Sequence, residues 1–273
     1  MPELPEVEQV RISLVPHIVG KTIEDVRIGR PKMIHGLTPE EFTAAVRGAT
    51  FDRVDRKGKF LRLYFTDGRS LLVHLRMTGA LLAVPKDEPE PPFTRVAFTL
   101  SGDEDLDFSD IRVFGTLELL AAGAAGTGLY AALGPEPLDE AMTGEYLREK
   151  AKGKTTHVKP FILDQTVIAG LGNIYADESL FAAGLRPTHR VNRITKKQWA
   201  QLAEAIKKVI AQGLEHHGTT FRNYQDADGQ MGDNMDYLQV YHRKGQPCVR
   251  CGTPLVQIKV GGRGSVYCPK CQK

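Results

Sequence analysis

All four cysteines of this 273-residue chain lie in its final 26 residues, as Cys248-x-x-Cys251 and Cys268-x-x-Cys271 with 16 residues between the pairs. Two such pairs read as two knuckles that together close a four-thiolate tetrahedral zinc site. A site with every position filled by protein is structural, not catalytic. One Zn2+ is therefore expected, with Cys248, Cys251, Cys268 and Cys271 as ligands and no organic cofactor. The alternative, two disulfides, suits a secreted chain. The start Met1-Pro2-Glu3-Leu4-Pro5-Glu6 is acidic and lacks the basic and apolar segments of a secretory signal, so a cytoplasmic setting is expected. The charge-free stretch Leu119 to Pro135 has 17 residues and is broken by Gly123, Gly126, Gly128 and Gly134, too short and interrupted to anchor the chain in a membrane.

Net charge is only +3, but it is unevenly spread. Tyr241 to Lys273 carries seven Lys or Arg and no acid, whereas Lys86 to Asp110 carries eight acids against Lys86 and Arg95. A cationic end of this kind is the footprint of a polyanion partner; a solvated basic tail is the plainer alternative. Between the cysteine pairs, Val260-Gly261-Gly262-Arg263-Gly264 sets one arginine among glycines that permit close backbone approach, so Arg263 is expected to be presented outward.

The rest of the chain falls into two halves. Leu4, Val7, Val10 and Leu14 keep a helical period behind Pro2 and Pro5. Short alternating or β-branched runs follow at Thr22 to Ile28, Thr50 to Asp55, Phe60 to Phe65, Leu71 to Leu75, Ala80 to Val84, Arg95 to Leu100 and Leu117 to Leu120, with turn signals between them. A sandwich is the expected closure for so many short strands. Gly134-Pro135-Glu136-Pro137 then marks a boundary, and Glu145 to Gly213 reads as helical. Within it, Lys159 to Ala169 and Ile174 to Ala183 are expected to be helices joined by Gly170-Leu171-Gly172-Asn173. Such a turn leaves the second helix's amides open to a phosphate, or is simply an αα-hairpin. Trp199 is expected in the core.

Removal of Met1, which a small second residue permits, exposes the secondary amine of Pro2. An α-amine has an unperturbed pKa of roughly 7.7 to 8.0, and a helix N-terminus further favours its neutral, nucleophilic form. Its attack on carbon gives an iminium, an electron sink for elimination that needs no cofactor. Glu3 or Glu6 can stand near that amine as an acid. Pro and Glu also favour helix starts for ordinary reasons.

Together, Met1-Pro2-Glu3-Leu4-Pro5-Glu6-Val7-Glu8, Gly170-Leu171-Gly172-Asn173-Ile174-Tyr175 and the terminal cysteine pairs resemble the bacterial formamidopyrimidine-DNA glycosylase family, which repairs 8-oxoguanine. The resemblance spans essentially the whole chain. It implies an α+β multidomain fold: an N-terminal β-sandwich with flanking helices (1–133), a helix-two-turn-helix domain with a lesion-capping loop (134–235) and a four-cysteine zinc finger (236–273). It implies a bifunctional glycosylase and AP lyase acting on double-stranded DNA that contains oxidised purines, and a monomer is expected.

By the same resemblance, Pro2 attacks C1′ and displaces the base, Glu3 assists ring opening, and Lys59 donates a proton during elimination. His74, Lys154, Asn173 and Arg263 match phosphate-binding positions. The family also assigns Arg263 to the second elimination; a guanidinium is a poor acid, so Arg263 reads first as a phosphate clamp. Met77, Arg112 and Phe114 match a triad that fills the space left by an extruded base, and apolar insertion offsets an unstacking cost of about a few kcal/mol per step. Without the resemblance, Met77 and Phe114 read as core residues. Thr219, Thr220, Arg222 and Tyr224 match the loop over the extruded purine. Two departures stand out: Phe93 where the family usually has a DNA-contacting histidine, and Val113 where it commonly has a basic residue. The rival readings are the sister family acting on oxidised pyrimidines, whose start carries glycine where this chain has Leu4, and a DNA-binding protein without catalysis.

Overall fold

The computed structural model describes residues 1–220 and 224–273. The chain divides into two compact units, Met1–Ala131 with His217–Asp233, and Ala132–His216 with Asn234–Lys273. The segment His217–Asp233, grouped with the helical domain in the sequence reading, thus belongs with the first unit.

The first unit starts with α1 (Leu4–Ile18), whose Leu4, Val7, Val10, Leu14 and Ile18 are buried at helical spacing. Next come β1 (Ile23–Ile28), the two-residue β2 (Ile34–His35), α2 (Pro39–Val46), β3 (Phe51–Lys57), β4 (Phe60–Phe65), β5 (Ser70–His74), β6 (Gly79–Pro85), β7 (Thr94–Leu100), β8 (Glu104–Asp110), β9 (Thr116–Leu120) and the short α3 (Gly128–Ala131). They form a four-stranded sheet, β1-β7-β8-β6, and a five-stranded sheet, β2-β9-β5-β4-β3, antiparallel except for β2 with β9. Phe98, Leu106 and Phe108 of one sheet and Leu61, Leu63, Val73 and Leu117 of the other share one core.

The expected strands are present within a residue or two, and β2, α2, β8 and α3 appear in addition. β8 reads as acidic, yet Leu106, Phe108 and Asp110 sit at alternate positions and are fully buried. Helix α2 has a reciprocal cap in which Glu41 N donates to the Thr38 hydroxyl and Thr38 N donates to the Glu41 carboxylate.

The second unit contains α4 (Gly144–Ala151), α5 (Val158–Ile162), α6 (Asn173–Ala182), α7 (Lys196–Glu215) and a hairpin of β10 (Val256–Val260) with β11 (Arg263–Tyr267). The helix expected over Lys159 to Ala169 ends at Ile162. The Asp164 carboxylate there accepts from Thr166 N at 2.9 Å, a local turn that competes with further helix. Loops also interrupt the stretch expected to be continuously helical. Trp199 is 1% exposed and packs edge-on to Phe161. No helix among the described residues is long and apolar enough to cross a membrane.

Candidate nucleic-acid interface and reactive terminus

Pro2 and Glu3 are buried at the mouth of α1, with Glu3 as its N-cap. The Glu6 carboxylate, 1% exposed, accepts from Glu3 N at 2.7 Å through Oε2 and from Thr219 N at 2.7 Å through Oε1. One side chain therefore fixes the backbone on which Pro2 and Glu3 ride and also holds the start of the 217–233 segment. A carboxylate at a helix N-terminus is favoured by the exposed amides there.

The turn between β3 and β4 sets Lys59, 5% exposed, beside the sheet. Arg56 braces that turn: its Nε donates to Glu8 Oε2 on α1 at 2.7 Å, and a terminal nitrogen donates to Gly58 O at 3.1 Å. Across the sheet, Phe60 pairs with His74. His74 is 6% exposed, and burial, together with the charges of Arg76 and Lys59, pulls its pKa down to about 3. Its Nδ1 accepts from Arg76 N at 2.9 Å, which leaves the proton on Nε2. His74 is thus a neutral donor.

Met77, Arg112 and Phe114 come together at the surface. Met77 is 44% and Phe114 48% exposed, an Arg112 nitrogen donates to Met77 Sδ at 3.2 Å, and the guanidinium lies 4.8 Å from the centre of the Phe114 ring. The cause is Asp110, fully buried, whose carboxylate accepts from Arg112 N (3.1 Å), Phe114 N (2.8 Å), Gly115 N (2.7 Å) and the Thr78 hydroxyl. Only glycine suits position 115, because a Cβ there would stand 2.4 Å from the Phe108 ring. Asp110 is not among the residues expected from sequence; its signal there is an aspartate directly before a turn ending in Phe-Gly. Phe93 is 50% exposed in the left-handed region at φ 66°, with Arg95 stacked 5.5 Å from its ring centre.

In the lesion-loop set, Thr219 is 4% exposed and the Thr220 hydroxyl accepts from Gly232 N at 3.1 Å. Tyr224 is 8% exposed in the core of the first unit, its hydroxyl donates to His217 O at 3.3 Å, and burial raises its pKa. Arg222 lies outside the described residues.

In the second unit, Arg263 is exposed at the first position of β11, after Gly261 and Gly262, both at positive φ. Asn173 opens α6; its Nδ2 donates to Gly264 O at 3.2 Å. Below them lies an ion pair the sequence reading did not foresee. Lys159 Nζ stands 2.6 Å from Asp177 Oδ1, both side chains 0% exposed, and donates to Gly264 O (2.9 Å) and Ser265 Oγ (2.7 Å). Asp177 Oδ2 accepts from Val266 N at 3.0 Å. Burial pushes the Asp177 pKa up against the pull of Lys159. These bonds seat the hairpin on α5 and α6 and hold Arg263 and Asn173 in one neighbourhood. Lys154 is exposed, its ammonium 5.4 Å from the Phe161 ring centre.

The four cysteine sulfurs lie within 4.8 Å of one another, with Cys248 to Cys271 at 3.9 Å and Cys251 to Cys268 at 3.5 Å. Disulfides would require about 2.05 Å. Tetrahedral zinc with Zn–S bonds of about 2.3 Å sets sulfurs roughly 3.8 Å apart, so the spacing fits the metal.

A two-sheet unit with an acid-flanked proline, a unit of helices bearing exposed cationic side chains and a zinc knuckle define a class of DNA-processing fold, and the relatives narrow it. Three family models match in order: the formamidopyrimidine-DNA glycosylase N-terminal domain over residues 1–117, its H2TH domain over 133–225, and the zinc finger found in FPG and IleRS over 245–273. Formamidopyrimidine-DNA glycosylases of Pelotomaculum thermopropionicum and Geobacillus kaustophilus are 42% and 44% identical, with 100% of this chain and 99% and 100% of those proteins covered. Among solved structures, a Lactococcus lactis Fpg variant bound to Fapy-dG DNA matches with TM-score 0.93 at 34% identity, covering 100% of both chains. Thermus thermophilus MutM matches with TM-score 0.90 at 38% identity, covering 99% of this chain and 98% of that one. The chain belongs to the formamidopyrimidine-DNA glycosylase family, and its four cysteines make the structural zinc site of that family's finger.

Proposed function

We propose that this protein is a bifunctional DNA glycosylase and AP lyase of base excision repair that removes 8-oxoguanine and formamidopyrimidine lesions from duplex DNA. It acts in the cytoplasm as a monomer, with residues 1–133, 134–235 and 236–273 as its functional divisions, the 217–233 part of the second being grouped structurally with the first unit. Relatives bound to Fapy-dG DNA and to DNA containing carbocyclic 8-oxo-G support the substrate class.

The observation that carries the reading is the Glu6 carboxylate, which ties the Pro2-Glu3 backbone to Thr219. It sets the reactive amine and the base-capping segment on one support. Once Met1 is removed, the Pro2 nitrogen forms a bond to C1′ as the glycosidic bond breaks and the base departs with a proton. Glu3 protonates the ring oxygen as the sugar opens, giving the iminium. Loss of a C2′ proton expels the 3′ phosphate, a second elimination expels the 5′ phosphate, and water releases the remaining sugar fragment from Pro2. Lys59 moves protons in these steps. His74, Lys154, Asn173 and Arg263 hold phosphates, while Met77, Arg112 and Phe114 occupy the gap and face the unpaired base. Zinc enters no step: it holds the hairpin that carries Arg263.

Incubation with a duplex bearing one 8-oxoguanine tests this. The expected products carry phosphate on both ends of a one-nucleotide gap. An intact strand, or a base released without strand scission, contradicts the assignment.

A further inference from the structure

His217, Thr219, Ala227 and Asp228 are held along a single face of α1. Glu6, Gln9, Ser13 and His17 repeat every three or four residues, which places them in one stripe. Each bonds the segment in turn: Glu6 accepts from Thr219 N, Gln9 Oε1 meets His217 Nδ1 at 3.2 Å, Ser13 Oγ accepts from Ala227 N at 2.9 Å, and His17 Nε2 meets Asp228 Oδ1 at 2.7 Å. His17 closes the row. Its other nitrogen, Nδ1, lies 2.9 Å from Glu104 Oε2 at the start of β8. The limb it meets is stiff: Asp226 Oδ1 accepts from Asp228 N and Gln230 N, and Ala227 O accepts from Ala83 N of β6.

We propose that His17 is a positioning residue for base excision, clasped between Glu104 and Asp228 so that the returning limb of the capping segment is fixed to the helix that carries Pro2. The proposal rests on the glycosylase reading above. A neutral imidazole has one N–H and can donate to one carboxylate only, so a ring with a carboxylate at each nitrogen is complete when it is protonated. Burial opposes that charge, but Glu104 and Asp228 prevail and raise the His17 pKa above its ordinary 6.5. These two carboxylates are the charges that act most on the ring; nearby Asp105 and Lys86 are engaged with Leu100 of β7. The sign follows: the clasp is whole below pH 6.5 and is lost as pH rises through the raised value.

An abasic site has no base to cap, so the two substrates separate positioning from chemistry. Single-turnover cleavage of an 8-oxoguanine duplex and of a preformed abasic duplex is measured from pH 6 to 9 with wild type, His17→Gln and His17→Arg. His17→Gln slows 8-oxoguanine excision by about tenfold while abasic cleavage stays within about twofold, the scale expected for a misplaced but intact support. In wild type the ratio of the two rates falls with rising pH. His17→Arg, charged throughout, restores excision and removes the fall. If His17→Gln does not fold, Asp228→Asn gives the same substrate split. Equal slowing of both substrates, or unchanged excision by every variant, overturns the proposal. Wild type that cuts the abasic duplex but spares 8-oxoguanine overturns the capping reading beneath it, a failure visible before any variant is compared.

Discussion

Two turns of the molecule present an arginine, and they are built in opposite ways. Arg112 sits on a turn folded around Asp110, only two residues away, whose carboxylate gathers three backbone N–H groups. Arg263 sits on a hairpin fixed by distant parts of the chain: a zinc knuckle on one side and Lys159, 105 residues from Gly264, on the other. The first is a local device, satisfied by backbone dipoles. The second balances two buried charges and a metal, so removal of any one member leaves another uncompensated.

Removing zinc should separate the two most widely. In small zinc modules the metal supplies on the order of 10 kcal/mol or more of folding free energy. Chelation, or Cys268→Ser, is expected to release the hairpin and make it protease-sensitive while the sandwich of the first unit melts as before, followed by limited proteolysis and circular dichroism. Loss of the first unit's transition on chelation would break the comparison.

Next in size is Lys159→Met. It strands Asp177 and is expected to cost about 3–5 kcal/mol, whereas Lys159→Met with Asp177→Leu recovers most of the loss. Denaturant unfolding of both variants checks this, and an equal cost for single and double variants would remove the ion pair from the account. Asp110→Asn turns one acceptor oxygen into a donor facing N–H groups and should cost about 1–3 kcal/mol. The same variant should weaken binding to lesion-containing duplex while leaving the Arg263 hairpin protected from proteolysis.

The effect that is smallest at neutral pH concerns His74. With a folded pKa of about 3 against 6.5, the unfolded state binds the proton more readily, so the neutral ring's contribution is fully present above pH 6.5 and is lost as pH falls toward about 3. His74→Gln should flatten that part of the acid limb in thermal melts. Because the ring is neutral, the same variant should leave the salt slope of DNA binding unchanged, whereas Arg263→Gln should reduce it by about 0.9. A reduced slope for His74→Gln would show that the ring is charged on DNA.

What the sequence disclosed follows the same division. The cysteine spacing, the α1 periodicity and most sandwich strands were legible because each is a local pattern. β8 was hidden because acids masked an alternation that only the opposing sheet makes necessary, with Leu106, Phe108 and Asp110 all inward. Lys159 and Asp177 could not be read as a pair, since nothing local links α5, α6 and β11. The polar stripe on α1 was invisible for a similar reason: Gln9, Ser13 and His17 look like solvated helix positions, and Glu6 like an acid for the amine alone, until His217, Thr219, Ala227 and Asp228 lie across them. The N-terminal pattern itself suggested the roles proposed for Pro2 and Glu3, which the family resemblance made specific, whereas that of Met77 came from the resemblance alone.

The central claim is that the Pro2 nitrogen becomes covalently joined to deoxyribose. Borohydride reduction during turnover of an 8-oxoguanine duplex, followed by peptide mass mapping, tests it most directly. The account predicts a stable adduct on the amino-terminal peptide, at Pro2 with Met1 absent. An adduct on a lysine, or strand scission with no reducible intermediate, would contradict it.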